Sequence, residues 1–586
     1  MADDSSDLTV LTGYLAEATE ARKWGETSRD DVWTRNLDAY WGRFDFNDRE
    51  EWQSQLVMPE IPMFINRFAA AMRDALTTAG QWYTVDFPGD EGRAISGMIE
   101  KLLAVWLSKC GRNVMGQPIE FSGIFEDKMK LGALMASSNI VTWRPEDGGY
   151  VSVEPQDPRF VWLDPTGRNL YRVRRTEIDR HNLIELAKQK SKGKNAYDLQ
   201  AILDLTSGID TEDTKRKQDV SGHQTDTSST NRKPIVLDEH LATILDAEGN
   251  STEKNSLYVV ANSEHLIRGP APNPNWHGRD WLVYTPLITV PMSVYGRSYA
   301  EDWVPVAEAF MDMTNLIMDG VFSATMNVFA AVPDMLEDPT EISEGLHPMK
   351  LFQLEEGSVP KDFMHAIETG RLPPESLQVW QGLKQEMREG SAFSEIALGQ
   401  LPPKGDITAT EISASSQGSA ALIKSIARTV EERDLQPNLD LIWRTGMQHF
   451  RDTAEHRAAI GEDAVKMLVR RKREFATAPM SFRARGISSV IERGNQFRAL
   501  TTVIQMVFSN PLLAQAFVER AEPGRTLELI FRLAGVDLDQ LQASQQERAV
   551  GQMVSQLREA GQAQQGIEPN KQSGSPPSLS GGTGEA

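Results

Sequence analysis

Cysteine is almost absent from this chain. Cys110 is the only one in 586 residues, so no intrachain disulfide can form and no cysteine-based zinc cluster is possible. A reducing cytoplasm is therefore the expected place of folding. The opening "MADDSSDLTV" is acidic and has neither the basic stretch nor the apolar stretch of a secretory signal, so nothing there directs export. Positive charge is short as well: 61 Lys and Arg stand against 83 Asp and Glu, a net charge of −22. That balance opposes loose wrapping of nucleic acid, whose non-specific affinity comes from cations placed on phosphates. If DNA is a partner, tight gripping is not the mode.

Long apolar runs are missing too. The nearest is "MTNLIMDGVFSATMNVFAAV", residues 313–332, which contains Asn315, Asp319 and Asn327. One Asp at a bilayer centre costs about 2.5–3.5 kcal/mol, so a helix buried in protein fits better than a membrane span. There is no G-x-x-x-x-G-K-[ST] phosphate loop, no H-E-x-x-H and no repeat of solenoid period. The chain is thus not itself a P-loop motor. No metal-ligand set and no cofactor motif stand out; Asp312 and Asp319 share a helical face but lack a third ligand, so acids touching another helix or a channel are the plainer reading.

One stretch invites an enzymatic reading. Gly296-Arg297-Ser298-Tyr299-Ala300 has the small-x-Ser-x-small form of a nucleophile elbow. Ser298 and Glu301 also form an S-x-x-E capping box, which would occupy the serine at a helix start, and no partner Asp and His can be singled out. No catalytic residue is assigned. A serine hydrolase built on Ser298 stays open as an alternative.

What is present is a succession of helical and strand-like patterns long enough for three or four domain-sized units. Residues 31–80 are expected to be helical, with Trp33, Tyr40, Trp41, Phe44 and Trp52 as aromatic anchors, and "ISGMIEKLLAVWLSKC" continues the helical spacing. From about residue 139 short β-branched and aromatic runs alternate with turns, which predicts strands. Residues 206–234 carry almost no apolar side chains and are expected to be a mobile excursion. A helix apolar nearly all round is predicted from Ser298 to Ala331, ended by Pro333. Residues 332–375 are punctuated by Pro and Gly, and a second helix is predicted over 376–398. "GQLPPKGD" then leads to a further capping box, Thr408 with Glu411, and to a helix of roughly thirty residues, about 45 Å. "KMLVRRKREFATAPMSFRARGI" is expected to be strand-like, helices follow, and the tail from 564 is low-complexity.

This order resembles the portal proteins (head-to-tail connectors) of tailed bacteriophages. The likeness is carried by "RNLDAYWGRFDFNDREEWQSQLVMPEIPMFIN", "YGRSYAEDWVPVAEAFMDMTNLIMDG" and "GDITATEISASSQGSAALIKSIARTVEERDLQPNL", and covers residues 30 to about 560. The resemblance implies an α+β, mainly helical subunit with wing, stem, clip and helical crown. The wing would be residues 1–297, the stem helices 298–331 and 376–398, the clip 332–375 and the tunnel loop 399–407. A long bent helix 408–464, wing strands 465–495, crown helices 496–563 and a disordered tail 564–586 would complete it. It further implies a homo-oligomeric ring, usually of twelve subunits, at one vertex of the capsid, through which double-stranded DNA is packaged and ejected. Pro402, Pro403, Lys404 and Asp406 would face that DNA. The implied partners are the major capsid protein, a terminase that supplies the ATPase, and a head–tail adaptor, with no membrane. Another ring-forming virion component is the remaining alternative.

Overall fold

In the computed structural model the described residues lie between 2 and 484. The longest stretches left outside them in that span are 206–233, 339–352 and 391–421, and residues 485–586 fall outside altogether. The chain divides into two compact units, Met1–Ile491 and Glu492–Ala586, and the described residues all belong to the first. That unit mixes α and β structure.

Two-residue strands apart, the elements run as follows. Helices α1 (Ala2–Glu20), α2 (Arg29–Tyr40), α3 (Glu60–Thr78) and α4 (Gly92–Leu107) come first, with strand β1 (Tyr83–Asp86) before α4. Helix α5 (Phe121–Leu134) leads into β2 (Ser137–Arg144), β3 (Tyr150–Pro155), β4 (Val161–Leu163) and β5 (Tyr171–Asp179). Short helices α6 (Arg180–Lys188) and α7 (Leu199–Asp204) precede β6 (Pro234–Ala242), β7 (Ser256–Ala261), β8 (His265–Ala271) and β9 (Leu282–Thr285). Then come α8 (Val304–Thr325), β10 (Val328–Ala331), β11 (Met364–Ile367), α9 (Pro374–Gly390), α10 (Gln436–Gln448), α11 (Ala454–Ile460), α12 (Glu462–Thr477) and β12 (Ser481–Ala484).

Two antiparallel sheets organise the β part, one in the order β8-β7-β6-β5-β4 and one in the order β9-β2-β3. Strand β7 reads as a continuous apolar run because both of its faces are covered. Val259 and Ala261 pack with Leu183, Ala187 and Ile202 of α6 and α7, while Tyr258 and Val260 pack with Leu11 and Ala18 of α1. The larger core joins α2 to α5, the start of α8 and α10, around Trp33, Phe68, Phe125, Phe310 and Trp443. Gly446 has to be glycine there, since a Cβ would lie 2.5 Å from the Trp106 ring.

Fully buried ions tie these layers together. Arg22, 0% exposed, donates to Asp30 and to the carbonyls of Pro158, Arg159 and Val161, with the rings of Trp33, Trp162 and Tyr295 around its guanidinium. Lys128 donates to Asp434 at 2.6 Å, and Ser137 donates to the other carboxylate oxygen at 3.0 Å. Burial draws the Lys128 ammonium below its ordinary range, and the Asp434 charge works against that.

Several expectations need correction. Helix α8 starts at Val304 and ends at Thr325, where 298–331 was expected; Val328–Ala331 is a strand paired with Met364–Ile367. The Ser298–Glu301 capping box does not form. Ser298 lies six residues before the helix, fully buried, and its Oγ accepts from Asn36 Nδ2 at 2.8 Å, while Glu301 takes Arg29 and Arg297. "KMLVRRKREFAT" is helix, where residues 465–495 were expected to form wing strands. Val465 and Leu468 before a kink at Arg471, and Phe475 and Ala476 after it, are its buried residues, and the alternation of Val469 with charged neighbours hid that helical spacing. Of that range only Ser481–Ala484 is a described strand, paired with Tyr83–Asp86.

The long helix expected over 408–464 is helical from 422 to 448, interrupted by a π turn at Glu431–Leu435, and is followed by a break before α11. Pro437 explains part of that interruption. It has no N–H to give the Arg433 carbonyl four residues back, and Thr285 Oγ1 donates to that carbonyl instead, at 2.8 Å.

Candidate assembly surface

The expected tunnel loop, with Pro402, Pro403, Lys404 and Asp406, and the second capping box, Thr408 with Glu411, lie outside the described residues. The surface that the structure does define is built on α8 and α9.

Helix α8 is rooted in the core by its first two turns. Val304, Ala307, Phe310 and Met311 are buried, Phe64 meets the Trp303 ring edge-on at 5.6 Å, and Phe310 stacks on Trp380 of α9 at 5.4 Å. Trp380 Nε1 donates to Thr314 Oγ1 at 2.8 Å, which fixes the height of α9 along α8. Arg29 and Arg35 reach across from α2 to Glu301 and Glu308. Burial alone would raise the Glu301 carboxyl, but the Arg29 hydrogen bonds and charge, with Arg297, hold it below the usual carboxylate range.

Three of the polar residues that interrupt the apolar run of α8 share one purpose. Asn315 Oδ1 accepts from Leu56 N at 2.8 Å and Ser54 Oγ at 3.0 Å, and its Nδ2 donates to the Leu56 carbonyl at 3.1 Å. Asp319 accepts from Ser54 N at 2.6 Å and from Arg49 at 3.2 Å, and Arg49 also lies 3.9 Å from Asp312. These three side chains form one stripe that straps Arg49, Ser54 and Leu56 to the helix. Their seven-residue spacing holds an arginine, and among the described residues no group of His, Cys, Asp and Glu could hold a metal ion. Helix α9 touches Phe310 and Thr314, roughly 150° round α8 from that stripe at 3.6 residues per turn.

Past Asn315 α8 exposes apolar side chains on both sides of the strap. Leu316, Met318 and Phe322 are each at least half exposed, and on α9 Leu377 and Val379 are 46% and 54% exposed. Trp52 and Leu56 on the strap are exposed as well. The all-round apolarity read from the sequence is therefore satisfied within the chain for the first half of the helix only. Covering the exposed part of each such side chain is worth about 1 kcal/mol, half of a full burial, so the set favours association over solvation. Exposed apolar side chains this numerous on a pair of packed helices suit an interaction surface. Among the described residues no helix is long and apolar enough to cross a membrane.

Sequence reasoning missed the strap. Its signal was available in the Asn315 and Asp319 positions, whose polarity inside an apolar helix requires a partner. Ser298, the candidate nucleophile, is closed from solvent and engaged by Asn36, which leaves its hydroxyl no access to a substrate.

No family model matches this chain, and no curated protein matches it. Among solved structures, a chain of the virion of a native gene transfer agent particle aligns over 80% of this chain and 95% of its own length, at 8% identity and TM-score 0.30. A likeness that loose bears on neither fold nor function.

Proposed function

We propose that this chain is a portal-type subunit, one copy of a closed ring, of about twelve in the family it resembles, at a unique vertex of a tailed-phage capsid. The observation that carries the reading is the pair of helices α8 and α9, rooted in the core at one end and apolar yet uncovered at the other. A heterologous ring supplies cover for such a surface from neighbouring copies, each subunit giving one side and receiving the other. The order of elements that the sequence shares with portal proteins supports the same reading. In it the ring conducts double-stranded DNA during packaging and ejection, docks terminase and a head–tail adaptor, is held by the major capsid protein, and catalyses nothing itself. It resides in the virion after assembly in the host cytoplasm.

Negative-stain electron microscopy with native mass spectrometry of the purified chain tests this. Rings with a central opening and the mass of about a dozen subunits are expected. A monomer at every protein and salt concentration tried would overturn the proposal.

A further inference from the structure

The π turn Glu431–Leu435 sits between two helical stretches whose apolar faces serve the same core. Ile423, Ile426, Ala427 and Val430 before it, and Leu439, Ile442 and Trp443 after it, are all buried there. Ile423 and Ile442 are 19 positions apart, which is about 5.3 turns of α-helix and would set them roughly 100° out of line. With one residue set aside in a wider turn the count falls to about 5.0, and the two faces coincide. The same offset brings Ala427 into line with Gly446, at the place where Trp106 packs.

The surplus residue is held at one place by buried contacts. Asp434, inside the π turn, takes Lys128 of α5 and Ser137 of β2, and Asn438 Nδ2 donates both to its carboxylate, at 2.7 Å, and to its carbonyl, at 2.8 Å. Thr285 of β9 holds the neighbouring Arg433 carbonyl. Glu432 and Arg433 are exposed on the outer side of the turn.

We infer that the π turn is a register device: it stores one surplus residue of helix, and the contacts of Asp434 with Lys128, Ser137 and Asn438 keep the surplus from migrating. Moving the turn one step along the helix turns the residues it passes by about 100° and shifts them by about 1.5 Å. Each residue of 422–430 that a migrating turn passed would take a second register, and the buried contacts of Asp434 hold the stretch in the one observed. This inference rests on the fold of the subunit and does not need the ring reading.

Two variants of opposite sign test it on the full-length chain. Deletion of Glu432 removes the surplus, so the turn becomes ordinary α-helix with both faces in place, and the melting temperature is expected to stay within about 3 °C of wild type, the shift of roughly 1 kcal/mol in a large domain. Insertion of one alanine between Glu432 and Arg433 adds a second surplus residue, and loss of cooperative melting or a drop of more than about 10 °C is expected. Equal damage from deletion and insertion would overturn the inference. As a second measurement, Lys128→Met combined with Asp434→Leu removes the lock without leaving a buried charge. Amide exchange is expected to rise at least tenfold over residues 422–430 and to stay unchanged over Gln436–Gln448. Equal change, or none, in both segments would contradict the role given to the pair.

Discussion

The body of the chain and the far end of its α8–α9 helix pair solve opposite problems. The body hides charge: Arg22 and Lys128 are fully buried, Arg22 meeting Asp30 and three carbonyls of residues 158–161, and Lys128 meeting Asp434, which Ser137 and Asn438 also hold. The helix pair exposes hydrocarbon, at Leu316, Met318, Phe322, Leu377 and Val379. Buried ions without partners would be ruinous, so the body has to be completed by its own residues. Exposed apolar side chains cost little in a monomer and become useful when another surface arrives. Within α8 the change happens at Asn315, where the strap ends the self-sufficient part of the helix.

The contrast can be broken most severely in the body. Asp434→Ala strands the Lys128 ammonium, and a loss of about 3–5 kcal/mol is expected from the removal of one partner of a buried pair, read from urea unfolding midpoints. Gly446→Ala comes next, because the added methyl runs into Trp106 and overpacking costs about 1–3 kcal/mol. A variant that melted like wild type would show that the α10 contact with Trp106 is loose.

A pH series sharpens the comparison at the root of α8. The Glu301 carboxyl is held below its ordinary value, so its pairing with Arg29 contributes stability above the unfolded-state pKa that is lost as pH falls through the folded one. Unfolding midpoints should therefore decline below about pH 4.5 in wild type, and decline less steeply in Glu301→Gln. Identical slopes would remove Glu301 from the acid response. The smallest effect on folding is expected in the exposed set: Leu316→Ser with Phe322→Ser should change monomer stability by no more than about 0.5 kcal/mol per site. The same variant should fail to associate in sedimentation velocity, which separates this surface from the core.

Much of this was legible in the sequence, and the failures have physical causes. The buried strands around β7 followed from β-branched runs between turns, and α3, α4 and α9 from helical spacing. Helix α12 was misread because Val469 and Phe475 among basic residues imitate a strand period, and only contacts with α10 reveal the face that matters. The Ser298–Glu301 motif matched a cap locally, yet tertiary partners from α2 claimed both residues, Asn36 for the serine and Arg29 for the glutamate. The π turn left a trace that a period count could have found, a one-residue slip between Val430 and Leu439. The strap left a weaker one, because nothing local says which chain segment will satisfy Asn315.

The most direct measurement is thiol labelling of Met318→Cys across the assembly equilibrium. Cys110 is buried and its thiol is pushed up to about 12, so it stays silent and the introduced cysteine reports alone. With Met115→Cys as reference, at a site 83% exposed in the single chain, Met318→Cys should label quickly in dilute monomer and at least tenfold more slowly under conditions where the protein associates. Equal labelling of Met318→Cys in both states would contradict the claim that neighbouring copies cover the far end of α8.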